Sequence, residues 1–118
     1  MEYNEFVEYL TAPLNNKHQD YMHAVLGIVT EAGELADAMK KNLAYRKELD
    51  TVNIKEELGD LMFYIQMACN HFGFKLEDVI ETNIRKLQRR YPEGFDTFRA
   101  LNRDLIAERE ELEDVQSD

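Results

Sequence analysis

The chain has 118 residues, 44% of them hydrophobic, and 24 acidic side chains against 14 Lys and Arg give it a formal net charge of −10. That length and apolar fraction fit one ordered domain over residues 1–118 that needs no disulfide and rule out a disordered chain. The charge excludes a general surface for duplex DNA or RNA, whose phosphates demand cations. No apolar run approaches the ~20 residues that cross a bilayer.

Pro13 and Pro92 are the only prolines, and no alternating run bounded by turn signals reads as a strand, so the chain is expected to be all-α. The N-terminus MEYNEF is acidic and polar and does not read as a signal peptide. A first helix is expected over 2–11, ended ahead of Pro13, and APLNNK reads as a loop. The second helix, about 18–43, places Met22, Val25, Val29, Ala32, Leu35, Ala36, Met39 and Leu43 on one stripe, expected to face a core. Residues 44–51 are charged and aperiodic and read as a connection. Asp50 or Thr51 would cap a third helix over 52–72, with Ile54, Leu58, Leu61, Ile65, Cys69 and Phe72 inward and Gly73 as its stop. The lone Cys69, inside an apolar run, is expected to be a buried thiol, consistent with a reducing cytoplasm. A fourth helix over 76–91 carries Leu76, Val79, Ile80, Ile84 and Leu87 on one side. A last helix over 97–112 is expected to end in a polar tail, EDVQSD, that frays.

Two acid pairs stand out. Glu31 and Glu34 are three residues apart on the second helix, and Glu57 and Asp60 are three apart on the third. That step puts both members of a pair on one helix face. Each pair borders a core stripe. Four carboxylates meeting between two helices would repel one another unless a cation lay among them. A hard cation such as Mg²⁺ takes oxygen ligands and commonly joins carboxylates to substrate phosphates. The pattern therefore points to a Mg²⁺ enzyme acting on a phosphorylated small molecule. Chance spacing in an acid-rich chain is the plainer alternative.

Other residues allow two readings each. Gly27, one turn before Glu31, either leaves space beside the acids or lets helices pack closely. Tyr64, one turn after Asp60, either stacks on a nucleobase or fills the core boundary. Asn83, Lys86 and Arg90 share a face of the fourth helix, where Lys86 and Arg90 either hold phosphates or form a solvated basic stripe. His18 could line a base pocket at its helix start. His18 and His23 lack the HExxH spacing of a zinc hydrolase, and packing or surface roles are expected of them. There is no P-loop and no GxSxG elbow.

The segments GIVTEAGELADAMKK, EELGDLMFYI and NIRKLQRRYPEGF together resemble the MazG-like family of all-α nucleoside triphosphate pyrophosphohydrolases, whose signature is ExxE, a spacer, then ExxD. Here Glu31-x-x-Glu34 is followed by 22 residues and then Glu57-x-x-Asp60, with Asn83, Lys86, Arg90, Tyr91 and Pro92 matching a downstream stretch. The resemblance covers about 18–98. It implies a four-helix-bundle-type fold that assembles as a homodimer or homotetramer. It also implies Mg²⁺-dependent cleavage of a nucleoside triphosphate between its α- and β-phosphates, with Mn²⁺ as a possible substitute. Glu31, Glu34, Glu57 and Asp60 would be the metal ligands, with Glu34 also the candidate general base. Asn83, Lys86 and Arg90 would contact the phosphates, and Tyr64 the base. Dimeric dUTPases, dCTPases and phosphoribosyl-ATP pyrophosphatases share the same carboxylate logic and remain alternatives. A non-catalytic helical module is an alternative of another class.

Overall fold

The two longest helices begin where a polar side chain accepts one of their free backbone N–H groups. In a computed structural model that describes residues 1–113, six α-helices follow in order: α1 Tyr3–Leu10, α2 Lys17–Tyr45, α3 Thr51–Phe72, α4 Leu76–Arg90, α5 Thr97–Leu101 and α6 Leu105–Glu113. No β-strand forms among the described residues, so the fold is all-α. The Asn16 side chain accepts the Gln19 N–H at 2.9 Å and starts α2. Asp50 does the same for Asn53 at 3.1 Å and starts α3. Gly73 closes α3 at φ 75°, the left-handed conformation a glycine adopts without penalty.

Two compact units make up the chain, Met1–Gly73 and a second beginning at Phe74. In the first, α2 and α3 form an antiparallel hairpin. Ala24 and Met67, then Gly27 and Tyr64, then Glu31 and Asp60 meet at successive levels, rising along one helix and falling along the other. The core of this unit is small. Val7 of α1, Ala24 of α2 and Met67 of α3 are buried together, with Phe63, Tyr64 and Ala68 packed against them. Cys69 is buried and forms no disulfide, as its apolar surroundings and its being the lone cysteine indicate.

The apolar stripe of α2 does not face this core. Met22, Val25, Val29, Met39 and Leu43 are all exposed, Val29 by 62% and Leu43 by 84%, whereas the buried residues of α2 are Ala24 and Gly27. The reason is that α2 meets α3 along its line of small residues, where the Tyr64 ring lies against the α2 backbone at Gly27. On α3 the expected inward residues Leu58 and Phe72 are exposed as well, while Gln66, Met67 and Cys69 are buried.

In the second unit α4 packs with α6. Val79, Ile80, Ile84 and Leu87, expected inward, are exposed, and no residue of α4 is buried. The expected last helix over 97–112 is two helices. The Asn102 side chain donates to the Phe98 carbonyl at 2.8 Å and closes α5. Asp104 then accepts the Ala107 N–H at 3.0 Å and opens α6. These two short polar side chains offer the backbone partners that interrupt one helix and start another. Of the tail EDVQSD, everything after Glu113 lies outside the described residues.

Candidate metal centre

Antiparallel pairing of α2 with α3 decides which acids meet. One turn beyond the Gly27–Tyr64 level, Glu31 faces α3 between Glu57 and Asp60. One carboxylate oxygen from each of Glu31, Glu57 and Asp60 lies within 4.8 Å of the others. Glu31 and Glu57 are half-buried and Asp60 is exposed. Burial, and then the negative charges of Asp60, Glu57 and Glu34, raise the Glu31 pKa above the usual carboxylate range. All four acids of the two pairs therefore act on one site, but three of them form it. Glu34 is exposed and stands outside the group of three.

Three carboxylates with no nitrogen or sulfur donor among them suit a hard divalent cation rather than a soft one. The site's chemistry fits Mg²⁺, with Glu31, Glu57 and Asp60 available as ligands.

Asn53 and Tyr3 border this group. The Asn53 side-chain amide donates to Glu57 Oε1 at 3.2 Å and to Glu56 Oε1 at 3.2 Å. Its spacing of four residues before Glu57 is readable in the sequence. Tyr3 comes from α1, and burial followed by the charge of Asp60 raises its phenol pKa above the ordinary value. Nothing local in the sequence marks Tyr3, because its placement depends on how α1 lies along α3.

Gly27 has one of its two readings settled by contact. A Cβ there would collide with the ring of Tyr64. Tyr64 thus lies against the α2 backbone, and His23 stands edge-on to it with ring centroids 5.9 Å apart. Gly33, by contrast, has open space where a Cβ would project. His18 is exposed in the first turn of α2.

The second unit places its candidates differently. Arg90 donates to Glu108 through Nη2 at 2.8 Å and Nε at 3.4 Å. Arg103 approaches the same carboxylate through Nη2 at 2.8 Å and Nε at 3.2 Å. Hydrogen bonds from both guanidinium groups pull the Glu108 pKa down from 4.5 to about 2, and bonds to Glu108 raise both arginines. Arg85 and Arg89 lie near Glu111 of α6, at 3.7 Å and 4.0 Å. The acids of α6 thus engage three of the arginines of α4. Lys86 is half-buried and Asn83 exposed, and among the described residues no carboxylate is within ion-pair distance of Lys86.

A family model described as the MazG nucleotide pyrophosphohydrolase domain matches residues 17–95, the stretch that holds both acid pairs, Lys86 and Arg90. Among curated proteins, "Gene 37 protein" of Mycobacterium phage L5 is 34% identical over 76 residues, covering 61% of this chain and 67% of the phage protein. No solved structure matches significantly.

Proposed function

The chain belongs to the MazG nucleotide pyrophosphohydrolase family, and from that premise we propose that it hydrolyses nucleoside triphosphates between the α- and β-phosphates, releasing a monophosphate and pyrophosphate. The observation that carries this reading is the meeting of Glu31, Glu57 and Asp60 within 4.8 Å. Three anions so close, two of them half-buried, resist being charged together, as the raised pKa of Glu31 reflects. A divalent cation relieves that cost and brings a use for it.

Glu31, Glu57 and Asp60 would hold the cation, Mg²⁺ or Mn²⁺ in its place. Bound there, it would offset the charge of the triphosphate and lower the pKa of a coordinated water. Glu34, one turn along α2 and outside the group of three, is free to accept a proton from the attacking water as general base. Lys86 is the cation of α4 left over for a phosphate, as the family resemblance assigns it. Arg90 would need to share its guanidinium between Glu108 and substrate, and Asn83 would add a neutral contact. Tyr64, half-buried among Gly27, His23 and Phe63, would offer a base its exposed part, and His18, exposed in the first turn of α2, is the other base contact proposed.

The exposed apolar stripe of α2 supports a homodimer or homotetramer, in which a second copy covers Met22, Val25, Val29 and Leu43. No helix among the described residues is long and apolar enough to cross a membrane, and the proposed setting is the cytoplasm, where nucleotides turn over.

The test is incubation of the purified protein with each standard and modified NTP and dNTP, with Mg²⁺ and with EDTA. The expected products are equimolar pyrophosphate and monophosphate, with none in EDTA. A preference for dUTP or dCTP would place the chain nearer the other branches of the superfamily. Orthophosphate instead of pyrophosphate, or no turnover of any nucleotide, would contradict the proposal.

A further inference from the structure

Asn53 does two separate things at the start of α3. Its backbone N–H donates to the Asp50 carboxylate at 3.1 Å, which caps the helix. Its side-chain amide, half-buried, donates to Glu57 Oε1 at 3.2 Å. We propose that Asn53 is a positioning residue for the acid site: by holding one oxygen of Glu57 it fixes the carboxylate plane and directs the other oxygen toward Glu31 and Asp60. This rests on the reading of those three acids as a cation site.

The physical need is specific to this geometry. Glu57 has three rotatable side-chain bonds and is flanked by Glu31 and Asp60, both of which repel it. Without a donor the lowest-energy rotamers would carry the carboxylate outward, away from its neighbours. A neutral amide supplies the restraint without adding charge, whereas a lysine at 53 would compete with the metal. The amide also reaches Glu56 Oε1 at 3.2 Å. Glu56 is exposed and next in sequence, so Asn53 keeps the two adjacent carboxylates on one side of the helix. Groups that orient metal ligands in this way commonly contribute tenfold or more in affinity.

Removing the side chain leaves the backbone cap in place, so the helix and the positioning effect can be separated. The experiment is electron paramagnetic resonance of free Mn²⁺ titrated with wild-type protein, Asn53→Leu and Asn53→Gln, alongside thermal denaturation of each without metal. Leu removes the donor at similar volume, and Gln restores it on a longer arm. The expected result is Mn²⁺ binding weakened on the order of tenfold in Asn53→Leu, recovered in part by Asn53→Gln, with the metal-free Tm of both close to wild type. Wild-type protein that binds Mn²⁺ while Asn53→Leu binds it equally well would overturn the positioning role and leave the cation site standing. A weakened affinity accompanied by an equally large loss of metal-free stability would assign Asn53 to the helix instead. Wild-type protein that takes up no Mn²⁺ would remove the cation site and this inference together.

Discussion

Glu31 and Glu108 are the same side chain in opposite company. Glu31, in the first unit, is pushed up by burial and by three other acids. Glu108, in the second, is held at about 2 by two arginines that grip it from both sides. The first environment is unfinished by electrostatic standards, and the second is complete. A net charge of −10 contains both and distinguishes neither. The difference teaches where to look for chemistry: a carboxylate whose charge is already answered by protein cations holds structure together, whereas one surrounded by its own kind awaits something from outside.

Substitutions at the two ends of this contrast should fail in different ways. Asp60→Asn removes a proposed ligand from the acid group and is expected to cut turnover roughly a thousandfold, since a cation's share of the transition-state charge amounts to several kcal/mol. The fold should survive, because Asp60 is exposed. Circular dichroism and pyrophosphate release measured on the same sample check both halves. Glu34→Gln, outside the group of three, should lose on the order of a hundredfold through the proposed loss of the general base, without changing metal affinity more than modestly. Equal losses of metal affinity in the two variants would erase the distinction between ligand and base.

In the second unit the effect should fall on stability. Glu108→Ala leaves Arg90 and Arg103 without their shared partner, and should lower stability because two like charges are then left side by side. Urea denaturation reads it. A change near zero would mean that the paired guanidinium groups find water as readily as they find the carboxylate. Gly27→Ala should cost about 2 kcal/mol, since the Tyr64 ring must move off the α2 backbone. The same alanine at Gly33, where space is open, should be neutral or stabilising.

Stability should also depend on pH. Glu108 has its pKa depressed on folding, so its contribution is fully present above the ordinary carboxylate value of 4.5 and is lost as pH falls toward about 2. Wild type and Glu108→Gln should therefore converge in stability over that window. Glu31 has the opposite sign. Its raised pKa means that the metal-free folded state is favoured as Glu31 takes up a proton, and is penalised at higher pH.

These contrasts also mark what was legible in the sequence. The acid pairs could be read because helix periodicity fixes which residues share a face, and the level of Glu31 opposite Asp60 follows once α2 and α3 are taken as a hairpin. The start of α3 was legible from Asp50, whose side chain caps locally; Asn16 caps α2 in the same local way, but in the sequence it reads only as part of the APLNNK loop. The break at Asn102–Asp104 was equally local, yet it was hidden by apolar residues that continue on both sides. What the apolar stripe of α2 faces could not be read, because periodicity identifies a hydrophobic face without naming what covers it. Ala24 and Gly27, small and unremarked by hydropathy, proved to be the contact line with α3. The engagement of Arg90 by Glu108 was beyond reach for a different reason. The two lie 18 residues apart on different helices, and no spacing rule joins them.

The most direct measurement is an anomalous difference map from crystals of the protein soaked in Mn²⁺. The account predicts a peak between Glu31, Glu57 and Asp60, at about 2.0–2.2 Å from an oxygen of each, and no such peak in crystals of Asp60→Asn. A saturating soak that leaves those three carboxylates without a peak, or that loads the same position in Asp60→Asn, would contradict it.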